Sequence, residues 1–340
     1  MFRPWGLLDW ALGLTGPRKW EFVGCLGPEE RSCASPIEFH KRDLLERITL
    51  FRIEERNSQY SDVAKACLQT RTETLDTAGV NPAIIDVDLL ASIATIEREF
   101  PQSTSSAVAL DITSLPKRYF FYLLKRSFLS NHVRDLIITY VPPMEYPAGV
   151  LTIDPDPWDA LPTFRNPDPD AEQIAHQRLI VNVGFIPAGL IAHLDSRAEE
   201  KQIDLIIPFP APISAVERTW QSVWALRSTP YKARFNEYRV SAHNISEAFE
   251  VITGLLPSAS NLVSFAPFGP KPISTAMCLY ATLTNSPVYY AQPKAYRPDY
   301  SLGVSTIGNI PKVHTYWIKH EGRSLYRLPP QRQKAQDLAA

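Results

Sequence analysis

The sequence predicts an α/β protein of two tandem Rossmann-like units with mainly parallel sheets, the second unit an internal duplication of the first. Three observations predict it. Apolar runs of strand length alternate with helical stretches along most of the chain, as in parallel sheets covered on both faces. The order of these elements repeats on either side of a proline-rich segment. Two corresponding strands run into loops that close with Pro-Lys, at Pro116-Lys117 and at Pro270-Lys271, so that the lysines lie 154 residues apart.

The opening stretch, MFRPWGLLDWALGLTG, is apolar in flavour but carries Arg3 and Asp9 and is too short to span a bilayer. It reads as a helix or arm packed on the body. The first unit then runs as a strand at 20–27, a helix within 28–46, a strand at 47–55, helices within 61–78 and 86–99, a strand at 106–114, a helix at 115–128 and a strand at 135–143. Eight of the 30 prolines fall in 142–169, a stretch with no sustained period that reads as an extended linker. The second unit repeats the order: a strand at 178–185, a helix at 187–201, a strand at 204–210, helices at 213–226 and 245–256, a strand at 261–269, a helix at 270–283 and a strand at 286–293. Ser214 followed by Glu217 has capping-box spacing at the first of those paired helices. Pro-x-x-Tyr follows the last strand of each unit, ending at Tyr146 and Tyr296, 150 residues apart. The expected division is 1–147 for the first unit with its arm, 148–175 for the linker, 176–325 for the second unit and 326–340 for a flexible tail.

Composition sets the bounds on function. At 340 residues the chain exceeds the usual single-domain length. A hydrophobic fraction of 45%, a charged fraction of 21% and a net charge of −1 fit a globular protein without general attraction to DNA or to anionic membrane. The four cysteines form no C-x-x-C pair, and with no signal peptide legible they read as buried free thiols of a cytoplasmic protein. The seven histidines fall in no metal-binding spacing, and G-x-S-x-G, the P-loop and G-x-G-x-x-G are all absent. No metal and no cofactor is therefore expected.

In open parallel sheets ligands bind beyond the carboxyl ends of the strands, and the candidate residues collect at that edge. FAPFGPKP places Gly269 at a tight turn, Pro270 beside it and Lys271 at a helix start, where the macrodipole disfavours a cation. Either an anion sits between lysine and helix, or the segment is a plain strand-to-helix turn with a solvent-facing lysine. ALDITSLPK supplies Asp111, Thr113, Ser114 and Lys117, as groups for a ribose or phosphate or as helix caps. In GPEERS, Glu29 and Glu30 complement a helix dipole, whereas Arg31 is a candidate phosphate or partner contact. Tyr290 and Tyr296 lie in an aromatic and cationic stretch suited to stacking a base, or to filling core and surface in alternation.

The stretch SFAPFGPKPISTAMCLYATLTNSPVYY resembles the strand, Gly-Thr-Lys loop, helix and strand of the CRISPR-associated Rossmann-fold (CARF) sensor domains, and the duplication resembles the related SAVED domains. The resemblance implies binding of a cyclic oligonucleotide at the loop edge and control of an effector in prokaryotic antiviral defence. By position it implies Gly269, Pro270 and Lys271 as one ligand-lining set, and Ser114, Pro116 and Lys117 as its second copy. Phe-Gly-Pro-Lys stands here in place of the usual Gly-Gly-Thr-Lys, and no fused nuclease or protease is legible, so the effector is expected as a separate protein. The expected function is thus a sensor of a nucleotide-like small molecule, with a homodimer compatible. The alternatives are an enzyme cleaving a nucleotide or N-glycosidic bond, with Asp111, Glu29 or Glu30 as acid or base, and a non-catalytic assembly subunit.

Overall fold

The computed structural model describes residues 2–13, 16, 18–54, 59–100, 105–149, 151–155, 157–165, 178–184, 201–209, 213–228, 233–256 and 263–329. The chain opens with β1 (Trp5–Leu7) and α1 (Leu8–Gly13), followed by β2 (Trp20–Leu26), a 3-10 turn (Glu30–Cys33) running into α2 (Ala34–Lys41), and β3 (Leu45–Glu54). Next come α3 (Ser61–Thr77), β4 (Ala83–Asp88), α4 (Ile93–Glu99), β5 (Ala107–Asp111), α5 (Lys117–Leu129) and β6 (Asp135–Tyr140). The middle of the chain holds β7 (Thr152–Pro155), β8 (Asp159–Ala160), β9 (Arg178–Asn182), β10 (Lys201–Pro208), α6 (Ile213–Arg227), β11 (Ala233–Val240), α7 (Ile245–Leu255), β12 (Ser264–Pro267) and α8 (Lys271–Thr284). It ends with β13 (Tyr289–Tyr290), β14 (Pro293–Tyr296), the hairpin β15 (Thr306–Ile307) and β16 (Ile310–Pro311), β17 (His314–His320) and β18 (Arg323–Ser324).

The larger sheet has the order β1-β17-β6-β5-β2-β3-β4, with β18 against β17. Its strands from β2 to β6 are all parallel, whereas β17 and β1 add antiparallel pairs at one end. The second sheet has the order β11-β10-β9-β12 and is parallel throughout, and a parallel bridge between Phe265 and Val288 continues it past β12. Among the parallel strands of both sheets the first in sequence, β2 or β9, lies centrally, with the second and third to one side and the fourth to the other. The architecture is α/β with mainly parallel sheets. Such strands are buried on both faces, and β2, β5 and β6 are buried at every position, which is why they read as unbroken apolar runs.

Two strands escape that pattern. The expected helix within 86–99 begins only at Ile93, because β4 occupies 83–88, and β11 stands between the two paired helices of the second unit. Both end their ladders, β4 next to β3 alone and β11 next to β10 alone. An edge strand needs less apolar sequence, and most positions of each are exposed or half-buried. The helix expected at 187–201 lies almost wholly outside the described residues, as does most of the expected tail.

The proline-rich stretch is built into the body where it is described. β7 pairs with β14, β8 pairs with β13, Glu145 bridges Leu302, and Leu151, Leu161 and Phe164 are buried. After the second sheet is complete the chain also returns to the first, inserting β17 between β1 and β6. The N-terminal arm is held there by the β1–β17 ladder, and the Trp317 indole donates to the Ala11 carbonyl at 2.8 Å.

One apolar cluster joins the two sheets. Phe120, Phe121 and Leu124 of α5 share it with Ile273, Met277 and Tyr280 of α8 and Phe249 of α7. Helix α8 is buried at nearly every position from Pro272 to Thr282, as expected of a helix apolar all round. Asn285, in the left-handed region at φ 54°, ends it. The α5–α8 pairing is what brings the starts of those two helices together.

Candidate functional site

The loop after β12 is fixed by close approach. A Cβ on Gly269 would fall 2.2 Å from Asn182 Oδ1 and 2.4 Å from the Val183 carbonyl oxygen, and one on Gly184 would fall 2.3 Å from the Phe268 carbonyl oxygen. Gly269 therefore serves to seat its loop on the end of β9 rather than to supply a positive φ. The Gly269 N–H donates to the Asn182 carbonyl at 2.8 Å, and the Asn182 amide donates to the Pro270 carbonyl and to Ser274 Oγ, each at 3.0 Å.

The two Pro-Lys turns face each other and exchange hydrogen bonds. The Lys117 ammonium donates to the Phe268 carbonyl at 2.9 Å, and the Lys271 ammonium donates to the Thr113 carbonyl at 2.8 Å. Each lysine begins a helix, follows a proline N-cap and reaches to the loop that precedes the other's helix. Neither helix start has a side-chain cap. Lys117 is 8% exposed and Lys271 half-buried. Burial, then the Lys271 charge, holds the Lys117 amine well below its ordinary range. Burial, then the Arg31 charge, pulls Lys271 down to about 7. The hydrogen-bond acceptors of both amines are backbone carbonyls, which are dipoles and not counter-ions; Glu29, Cys25 and Asp111 act on Lys271 only through their charge.

The third cation is compensated. Arg31, buried, donates to one Glu29 oxygen from Nε at 2.9 Å and from Nη2 at 2.8 Å, and from Nη1 to the Val141 carbonyl at 3.0 Å. Ser301 Oγ also donates to Glu29. Asp111 is buried below the loop, where its carboxylate accepts from the Thr113 N–H and from Thr139 Oγ1, both at 2.8 Å. Burial pushes its carboxyl up, and those hydrogen bonds oppose the rise. Thr113 Oγ1 accepts from the Val141 N–H at 3.0 Å. Ser114 Oγ is sealed and has no hydrogen-bond partner among the described residues.

These loops border a cavity of about 610 Å³, within the size range of small-molecule sites. Its lining includes the cations Arg31, Lys117, Lys271 and Lys312, together with Gly184, Gly269 and Pro270. It also includes Trp5, Tyr140, Met144, Tyr146, His243, Tyr300 and His314, and the Arg31 guanidinium lies 5.8 Å from the Tyr140 ring centroid. Among the described residues that line it there is no aspartate or glutamate.

Of the residues expected from sequence, Arg31, Lys117, Gly269, Pro270 and Lys271 meet at this cavity. Asp111, Thr113 and Ser114 lie behind its wall, where Thr113 contributes the carbonyl that holds Lys271. Tyr290 and Tyr296 do not line it. The Tyr290 ring lies under the Lys117 ammonium at 5.2 Å from its centroid, and the Tyr296 hydroxyl accepts from the Gln292 amide at 3.1 Å. Tyr300, of the same aromatic stretch, does line the cavity, whereas the sequence reading missed Trp5, Tyr140, His243 and His314, which come from four separate segments with no shared local motif. Among the described residues no cluster of three or more His, Cys, Asp or Glu is placed to hold a metal ion. No helix there is long and apolar enough to cross a membrane.

No family model matches the chain, and no curated protein matches it. Among solved structures, it is similar to the crystal structure of the cytoplasmic domain of a prokaryotic cation chloride cotransporter, with 11% identity, 83% of this chain and 98% of that chain covered, and a TM-score of 0.23. So slight a likeness carries no argument about fold or function.

Proposed function

We propose that the chain is a sensor or regulatory protein that binds a nucleotide-type anion between the Lys117 and Lys271 turns and acts through a separate effector protein. The observation that carries this reading is the cavity lined by Lys117, Lys271 and Arg31 and by no carboxylate among the described residues. A buried and a half-buried amine that hydrogen-bond only to backbone carbonyls are costly to charge, and an anionic ligand between them would relieve that cost. The matched strand orders support a duplicated unit as the origin of the paired turns. With the resemblance to CARF and SAVED domains, this suggests a role in prokaryotic antiviral defence and a cytoplasmic location. Cleavage of a nucleotide or N-glycosidic bond has no observation of its own in its favour, since Glu29 is the counter-ion of Arg31 and Asp111 is hydrogen-bonded behind the wall.

Calorimetric titration with nucleotides and cyclic oligonucleotides, followed by mass analysis of the recovered ligand, tests the reading. Intact ligand is expected, with affinity falling about tenfold or more in Lys117→Ala and in Lys271→Ala, the loss of a charge-assisted hydrogen bond. Unchanged affinity in both variants removes this site, and a turned-over ligand moves the reading to the enzyme.

A further inference from the structure

The cavity lining also holds a group of residues of a different chemistry. His243, in the connection between β11 and α7, and His314, first residue of β17, stack with ring centroids 5.2 Å apart and planes within 3°. The Trp5 ring lies 6.2 Å from the His314 ring at an interplanar angle of 33°, and the Tyr140 ring lies 6.2 Å from the His243 ring at 30°. Trp5 is itself stacked on Tyr316 at 5.7 Å. The ladder explains the placement: His314 pairs with Tyr140 on β6 and with Leu7 on β1, and all three side chains border the cavity.

Hydrogen bonding at these rings is incomplete. Nδ1 of both histidines is sealed from solvent and has no hydrogen-bond partner among the described residues. No hydrogen bond among the described residues uses either Nε2, so Nε2 is the nitrogen of each ring left for a molecule in the cavity. Burial lowers both imidazoles; the His243 charge, then Lys312, adds to it in taking His314 to about 4, and Lys312 adds to it for His243. Both rings are therefore neutral near pH 7. A neutral imidazole presents a donor or an acceptor and an uncharged face, whereas an imidazolium would only donate and would be suited to a second anion.

We propose that His243 and His314 recognise the base of the ligand, an uncharged planar heteroaromatic ring that stacks in this aromatic wall and hydrogen-bonds to Nε2. This rests on the reading of the lysine turns as an anion site. It extends that reading by making the ring a selected part of the ligand: a sugar phosphate or inorganic phosphate satisfies only the lysines. The two residues are specificity-determining and have no part in holding charge.

The test compares the four ribonucleoside 5′-monophosphates with ribose 5-phosphate by calorimetric titration, on the wild-type chain and on His243→Phe and His314→Phe. Phenylalanine keeps a ring for the stack and removes the nitrogens. At least one nucleotide is expected to bind the wild type about tenfold or more tighter than ribose 5-phosphate, as ring stacking and one hydrogen bond together provide. Each Phe variant is expected to lose about fivefold or more for that nucleotide and to keep its affinity for ribose 5-phosphate. Wild-type spectra of the imidazole nitrogens supply a readout independent of folding, because Nε2 should shift with the nucleotide and stay put with ribose 5-phosphate. Equal wild-type affinity for nucleotide and sugar phosphate, or unmoved Nε2 signals, overturns the proposal and leaves the anion site standing. Binding of all probes unaffected by Lys117→Ala and Lys271→Ala overturns the anion reading instead, and no binding of any probe overturns both.

Discussion

Lys271 sits where three influences compete. Burial and the neighbouring Arg31 lower its amine to about 7, against the opposing pull of Glu29, Cys25 and Asp111. An anion bound beside it favours the ammonium, so the bound state keeps a proton that the free state has lost above about pH 7. Through Lys271, affinity for a phosphodiester dinucleotide, which does not titrate near neutrality, should therefore fall above about pH 7, by up to about tenfold per pH unit. Calorimetry at about pH 8 in buffers of different ionisation enthalpy should register proton uptake, and a flat profile from about pH 6 to about pH 9 would disprove the coupling. Without ligand the sign reverses. Between about pH 7 and about pH 10 the unfolded chain holds the Lys271 proton that the folded chain has released, so this group makes stability rise with pH over that window. Gly269 is a residue of a different kind. The atoms crowding its missing Cβ are the Asn182 side chain and the Val183 backbone carbonyl, neither the end of a long flexible chain. Gly269→Ala should cost about 2 kcal/mol in urea unfolding, as overpacking does, and a change below about 0.5 kcal/mol would show that the loop yields.

At the scale of the element, what the sequence discloses depends on how many sides of a segment are covered. The central strands β2, β5, β6, β9 and β12 are largely buried on both faces, and their apolar runs are visible without any structure. The edge strands β4 and β11 interleave charge with apolar residues and leave no such trace. The Pro-Lys turns were legible because strand, turn and helix start are contiguous in the chain and recur in it. Their mutual contact was not, for nothing local specifies that Lys117 and Lys271 each reach across to the other's loop. His243 and His314 were invisible for the same reason. A histidine opening an apolar strand carries no mark of the partner its ring will stack on, and the return of β17 to the first sheet decides it. Tyr290 and Tyr296 show the converse error: their composition suited a base, yet Tyr290 packs beneath Lys117 and against Phe268.

For the whole molecule the question is whether the two parallel sheets behave as separate folding units. A single apolar cluster contains α5 from the first and α7 and α8 from the second, so neither half can open without exposing the other's core. Polar links run the same way: the reciprocal lysine bonds, Cys278 Sγ to the Phe121 carbonyl, and the Tyr316 hydroxyl to the His243 carbonyl all join the two. The chain itself crosses back through β17. Unfolding should accordingly be one cooperative transition, with calorimetric and van't Hoff enthalpies that agree. Native-state hydrogen exchange gives the sharper check. The amides of Ala109 and Leu110 in the first sheet and of Leu205 and Ile206 in the second are all buried, and all should exchange only through global opening, with one common free energy and one common denaturant dependence. Two separate denaturant slopes would mean that the sheets open independently, and the α5–α8 contact would then be a docking surface rather than a shared core. Under the single-transition outcome, a nucleotide held between the lysine turns should raise the protection of all four amides together, because a ligand of the native state alone stabilises every segment that opens only globally.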